Sequence, residues 1–209
     1  MKPNKTFNIW NKYANIWDTF SFQIYFNILH KISLKLIKEY LSNDKKILDI
    51  GCATGNFLYK IQKINKKIEM YGIDYSERMI AKAKNKFKDI NFYNLKAEEI
   101  NFPHNFFDII TIIETFHHLQ NQKLVLEKIC KILKPNGILL IAEPNLNNKI
   151  TEIFINFLKK IDIEKESIFL TQEEIIKLAN NFQLENFKTQ KFLGNVFLMF
   201  KNRNRLINS

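Results

Sequence analysis

Between residues 45 and 145 the chain alternates short apolar runs with stretches of helical periodicity, and that alternation leaves few folds open. A strand, a helix and a second strand of the same kind require a crossover, and repeated crossovers build a parallel sheet covered on both faces. The runs predict strands at 46–50, 68–73, 90–93, 107–113 and 137–143. Between them, Phe57, Leu58, Ile61 and Ile64 share one helical face, as do Met79, Ile80, Ala83 and Phe87, and then Leu124, Val125, Ile129, Ile132 and Leu133. These faces are the expected core. In "LKPNG", residues 133–137, Pro135 cannot continue a helix and Asn136-Gly137 turns the chain into the next strand.

The flanks read differently. Residues 1–44 contain no glycine and are rich in aromatic residues, which predicts one or two helices ahead of the main domain at 45–209. Phe7, Trp10, Tyr13, Trp17 and Phe20 recur at spacings of three and four, and Phe22, Tyr25 and Phe26 continue that face with a shift of phase. This N-terminal helical cap is expected to be either a lid, with Tyr13 near the acceptor of any reaction, or ordinary packing of the aromatic face. Beyond the fifth strand, helices are expected at 149–160 and 171–181, the second opening on "TQEE", where Thr171 can cap and Glu174 can reach back. Loose alternation from Leu184 to Phe200 predicts two more strands, joined as a hairpin around Gly194.

With 209 residues, 46% of them hydrophobic, the chain is suited to one sizeable core. Cys52 and Cys130 are the only cysteines, no apolar leader follows a basic start, and no apolar run approaches the length of a membrane span. A cytoplasmic protein without a transmembrane segment is expected. The formal charge of +11 invites a nucleic-acid reading. However, 29 of the 32 basic residues are lysines spread along the chain, and arginine, the usual residue for bidentate phosphate contacts, occurs only at 78, 203 and 205. The charge is therefore read first as a solvated lysine surface, next as weak attraction to anionic lipid or an acidic substrate, and last as a site for nucleic acid.

The stretch "KILDIGCATGNF", residues 46–57, places a small-residue turn between the first strand and its helix, where a parallel sheet usually binds its ligand. A dinucleotide would ask for G-x-G-x-x-G and a P-loop for Gly-Lys-Ser/Thr; neither frame can be drawn here. Taken singly, Asp49 and Asp74 could be strand-end caps for nearby N–H groups; together with the turn, Asp49 argues against an anion and suits a ligand carrying an ammonium group. Asp74 follows Gly55 by 19 residues, about the interval at which an acidic residue meets ribose hydroxyls in nucleoside-binding units. Adenosine joined to an amino acid satisfies both acids, and that ligand is S-adenosylmethionine.

In order and spacing, "LDIGCATG", "GIDYSERMI", "KAEEINFPHNFFDIITIIETFHHL" and "LKPNGILLIAEP" resemble the successive motifs of class I S-adenosylmethionine-dependent methyltransferases. The small-molecule group that includes quinone-biosynthesis C-methyltransferases is the most similar. The resemblance covers about residues 40–145 and implies a Rossmann-like, doubly wound α/β fold with a seven-stranded sheet, mostly parallel with an antiparallel last strand. It further implies that the turn from Gly51 through Cys52 and Ala53 to Gly55, with Asp49, holds the methionine end of the cofactor. Asp74 would take the ribose, and Tyr75 and Met79 the faces of the adenine. Ala97 and Glu98 would offer backbone at the adenine edge, while Ile113 and Glu114 would line the methyl-transfer site. Two positions depart from the pattern: Ala53 stands where a glycine is usual, and Lys96 where an aspartate often accepts from the adenine amino group.

His117 and His118 follow the fourth strand and are candidates for a general base. Their structural alternative is that one caps the next helix and the other packs. Cys52 reads as a small packing residue rather than a nucleophile, since methyl transfer from a sulfonium needs no thiolate. No metal site is expected. The expected function is methyl transfer to a small, partly apolar metabolite at O, N or C. The alternatives are an RNA methyltransferase and a non-catalytic S-adenosylmethionine-binding regulatory domain.

Overall fold

The computed structural model describes residues 20–160 and 166–204, with side chains from residue 23 onward in the first helix. Tyr13, and with it the aromatic face built on Phe7, Trp10 and Trp17, lies outside the described residues. The chain divides into two compact units, one ending at Ala97 and the other beginning at Glu98.

The first unit opens with α1 (Phe20–Ile37), whose Leu29, Leu36 and Ile37 are buried. His30 of α1 lies against Phe57, with ring centroids 5.2 Å apart, and Lys60 reaches Asn27 and His30. Burial, reinforced by the Lys60 charge, pushes the His30 imidazole down to about 3. α1 is thus core of the unit. Three strands follow, β1 (Lys46–Ile50), β2 (Glu69–Asp74) and β3 (Asn91–Asn94), parallel and in the order β3-β2-β1. They are linked by α2 (Asn56–Ile64) and α3 (Glu77–Lys86). Phe57, Leu58 and Ile61 are buried as expected, but Ile64, the last residue of α2, is 46% exposed because the helix ends there and carries it past the covered face.

Gly72 shows how tightly this unit closes. A Cβ there would come within 2.8 Å of both the Cys52 sulfur and the Phe92 ring, so only glycine lets β2 run between them.

The second unit contains β4 (Phe107–Ile113), α4 (Gln122–Ile132), β5 (Leu133–Pro144), α5 (Lys149–Lys160), α6 (Gln172–Asn180), β6 (Leu184–Phe192) and β7 (Asn195–Asn202). The strand order is β4-β5-β7-β6, with β4 and β5 parallel and β7 antiparallel to both of its neighbours. The start of β5 differs from expectation. Strand pairing resumes directly at Leu133 opposite Phe107, then jumps to Ile138 opposite Ile109, so Lys134–Gly137 bulges out with Asn136 at φ 60°. Pro135 and Asn136-Gly137 make their turn inside the strand rather than before it. The Thr171–Glu174 capping box at the start of α6 forms as expected. So does the β6–β7 hairpin, whose Leu193 and Gly194 both have positive φ, as a two-residue primed turn requires.

Candidate active site: two turns after two strands

The predicted residues fall on two turns, one in each unit. In the first, β1 ends and the chain passes through Gly51 (φ 76°), Ala53 (φ 46°) and Gly55 (φ 79°) into α2. The turn is closed by its own backbone. Gly51 and Cys52 both donate to the Ile73 carbonyl, at 2.8 and 3.0 Å, Gly55 donates to the Cys52 carbonyl, and Ala53 donates to Asp74. A phosphate-binding turn points such N–H groups at its anion. Here four of them are already committed, which agrees with a ligand that carries no phosphate. Gly55 is required twice over, by its left-handed φ and because a Cβ would sit 2.6 Å from the Phe92 ring. Ala53 adopts the same left-handed region without glycine's freedom, so the departure noted at this position carries backbone strain.

Asp74 ends β2. Its Oδ2 accepts from Ala53 N at 3.0 Å and its Oδ1 from Ser76 N at 2.8 Å. Burial pushes the carboxyl up to about 6, against the opposing pull of those two backbone donors. A carboxylate has about two acceptor positions per oxygen, so one position on each oxygen remains for a pair of vicinal hydroxyls. That acceptor set fits a ribose. Asp49 lies within β1, buried and paired in register with Gly72, deeper than a residue at an open lip. Cys52 is buried, and burial, then the charges of Asp74 and Asp49, pushes its thiol well up, so it is a packing residue with no thiolate to offer. Tyr75 is half-buried; Met79 is buried on the inner face of α3, which Ser76 caps by accepting from Met79 N.

Ala97 is buried, and Glu98 uses its carboxylate structurally, with Oε1 accepting from Gln120 N and Asn121 N ahead of α4. Asn121 caps the same helix by accepting from Leu124 N. Neither histidine caps it.

The second turn follows β4. Ile113 is buried, and Glu114 takes a left-handed φ of 49° while its N–H donates to the Ala142 carbonyl. The loop is then organised by a residue to which the sequence reading assigned no role. Glu143, buried near the end of β5, accepts from Thr115 N at 3.0 Å and Phe116 N at 2.8 Å through Oε1, and meets His117 Nδ1 at 2.5 Å through Oε2. His117 is buried and stacks on Phe169, with centroids 4.4 Å apart and planes 12° apart. His118 Nδ1 lies 3.0 Å from Ser167 Oγ, and burial, then the charge of His117, pushes its imidazole well down, so it is neutral near pH 7. The Ile168 N–H donates to the His117 carbonyl, and Gln122 Nε2 donates to the Phe116 and Ile168 carbonyls. One signal for Glu143 was available: a lone carboxylate at the end of the apolar run "GILLIAEP" must have partners if that run is buried. Among the described residues no group of His, Cys, Asp or Glu could hold a metal ion.

An α/β frame with a glycine turn after β1 and an acid ending β2 is the frame of a nucleoside-binding protein, and comparison with known proteins narrows the class to methyltransferases. Residues 41–180 match the model of a family described as a methyltransferase domain, and the chain belongs to that family. It is 30% identical to the carboxy-S-adenosyl-L-methionine synthase of Nautilia profundicola over 78% of this chain and 74% of that protein. It is 26% identical to the protein of the same name from Campylobacter concisus over 85% and 86%. Among solved structures, a SAM-dependent methyltransferase of Thermotoga maritima superposes with a TM-score of 0.75 at 18% identity, covering 94% of this chain and 99% of that one. A Haloferax volcanii protein solved with the Trm112 methyltransferase activator superposes with a TM-score of 0.78 at 15% identity, covering 93% and 98%. These likenesses show the expected fold, Rossmann-like with seven strands, mostly parallel with an antiparallel last strand. The chain is an S-adenosylmethionine-dependent enzyme of the methyltransferase type.

Proposed function

We propose that this enzyme transfers the methyl of S-adenosylmethionine to a small, partly apolar metabolite and releases S-adenosylhomocysteine. The observation that carries this reading is Asp74, a carboxylate oriented by two backbone N–H groups with acceptor positions left on both oxygens. The cofactor supplies an electrophilic methyl on a positively charged sulfur. Asp49 and the turn from Gly51 through Cys52 and Ala53 to Gly55 would hold the methionine end. Tyr75 and Met79 would serve the adenine faces, Ala97 and Glu98 its edge, and Ile113 and Glu114 the methyl. His117, held by Glu143 through Nδ1, or the neutral His118 would take an acceptor proton. Alignment of the acceptor supplies the rest of the acceleration. Tyr13 and the N-terminal segment would act as the lid, and the enzyme would work in the cytoplasm.

The names of the relatives favour a second reading, in which the product is a carboxylated form of the cofactor. The match of residues 41–180 to a family described as a methyltransferase domain speaks for the first. Incubation with cofactor labelled in its methyl group, followed by mass spectrometry, separates the readings. A labelled metabolite with unlabelled S-adenosylhomocysteine supports methyl transfer, whereas label retained in a carboxylated cofactor supports the second. Labelled RNA, or tight binding without any product, would point to the remaining alternatives. Asp74→Asn should weaken S-adenosylhomocysteine binding by about 1–3 kcal/mol in calorimetry; unchanged affinity would mean that the ribose lies elsewhere.

A further inference from the structure

α5 has two apolar faces. One, with Ile155, is buried within the second unit. The other consists of Ile150, Ile153, Phe154 and Phe157, a continuous i, i+3, i+4, i+7 stripe whose members are 79%, 62%, 59% and 55% exposed. Isolated apolar residues on a surface are ordinary, but four large ones aligned on one helix mark an interaction face. The tip of the β6–β7 hairpin, held beside the start of the helix, adds two more exposed apolar residues. Asn145 N and Thr151 Oγ1 both donate to the Gly194 carbonyl, at 2.8 and 3.2 Å, tying the hairpin tip to the first turn of α5. At that tip Phe192 is 43% exposed and Leu193 68% exposed. Leu193 also has a φ of 44°, in a turn where Asn or Asp would sit without strain and be well solvated. At 68% exposed, Leu193 buries little apolar surface within its own unit.

We propose that this face, α5 with the Leu193 tip, docks on an anionic lipid surface. Charge selects that occupant. Exposed Lys149 and Lys160 bracket the stripe, exposed Lys191 precedes the tip, and Glu152 is the only acid on the helix. Lysines at the ends of an apolar stripe can keep their ammonium groups at the headgroups while the ring and aliphatic side chains enter the acyl boundary. The formal charge of +11 favours an anionic leaflet and repels a second copy of this chain. No described helix is long and apolar enough to cross the bilayer, so the contact is peripheral. The proposal is independent of which reaction the enzyme performs.

Co-sedimentation of the full chain with phosphatidylcholine vesicles, with and without phosphatidylglycerol, tests it. Binding should require the anionic lipid, weaken in roughly 0.5 M salt as the charges are screened, and fall by about tenfold in Phe154→Ser/Phe157→Ser. Leu193→Asn should also reduce it while raising the thermal midpoint, because asparagine fits the turn. All these side chains are exposed, so the variants should retain cofactor binding. The proposal is overturned if the wild type ignores phosphatidylglycerol vesicles, or if the double variant binds them as well as wild type, which would reduce the effect to diffuse charge. Sedimentation velocity showing a dimer that the double variant dissociates would assign the stripe to a second copy instead.

Discussion

The turn after β1 and the turn after β4 occupy equivalent places at the ends of parallel strands, yet they are built in opposite ways. The first is made of backbone. Small residues accept left-handed conformations, and three of the N–H groups close on carbonyls of the turn itself and of β2, with Ala53 N alone going to the Asp74 carboxylate. The second is made around one buried carboxylate, with Glu143 gathering two N–H groups and an imidazole from residues 26 to 28 positions away. The backbone turn will be damaged by adding atoms, and the carboxylate-centred turn by removing them.

Glu143→Ala should have the largest effect. It strips the acceptor from three buried or half-buried donors at once, and losing a buried charge from its partners costs about 3–5 kcal/mol. Denaturant unfolding measures the loss, and amide exchange should show Thr115 and Phe116 exposed first. Glu143→Gln keeps one acceptor oxygen and should lose clearly less; equal losses would mean that shape rather than hydrogen bonding holds the loop. At the backbone turn, Gly55→Ala should cost about 2–3 kcal/mol from left-handed strain and overpacking against Phe92. A thermal midpoint near that of wild type would show that Phe92 can move aside.

The two turns should also respond to acid with opposite sign. The Asp74 carboxyl is raised from 3.8 to about 6, so its contribution to stability is full below pH 3.8 and lost as pH rises through 6. His118 is lowered, so its contribution is present above its ordinary value of 6.5 and lost as pH falls below it. Between pH 6.5 and 5, exchange protection should therefore increase around Ala53 and decrease around His118, each by about 1.4 kcal/mol per pH unit at most. Protection moving in the same direction in both turns would break the contrast. The smallest effect is expected from Ala53→Gly, which relieves the left-handed strain but loosens the unfolded chain, for a net gain of no more than about 1 kcal/mol in the thermal midpoint analysis.

The packing of α1 sharpens the test of the proposed lid. A truncation beginning at Leu41 would remove Leu29, Leu36 and Ile37 from the core of the first unit, so loss of activity there would say nothing about a lid. A truncation beginning at Phe20 spares them. It should retain S-adenosylhomocysteine binding and lose turnover if the preceding residues close over the methyl.

Local pattern alone determined the Thr171 capping box, the hairpin at Gly194, the glycine turn and, but for the start of β5, the strands and helices after residue 44. Each of these depends on residues close in sequence or on a period of two or 3.6, which a linear reading can follow. Its misreadings were also local: Ile64 continues the pattern of α2 but has no covering surface, and Pro135 and Asn136 turn inside β5 because strand pairing restarts at Leu133 before the bulge. Only the tertiary structure decided that Glu143 organises the histidine loop, that Phe169 stacks on His117, and that Cys52 is sealed against Gly72. A buried charge announces that it needs partners, but the partners are chosen by which strand ends meet in space, and spacing along the chain carries no record of that choice.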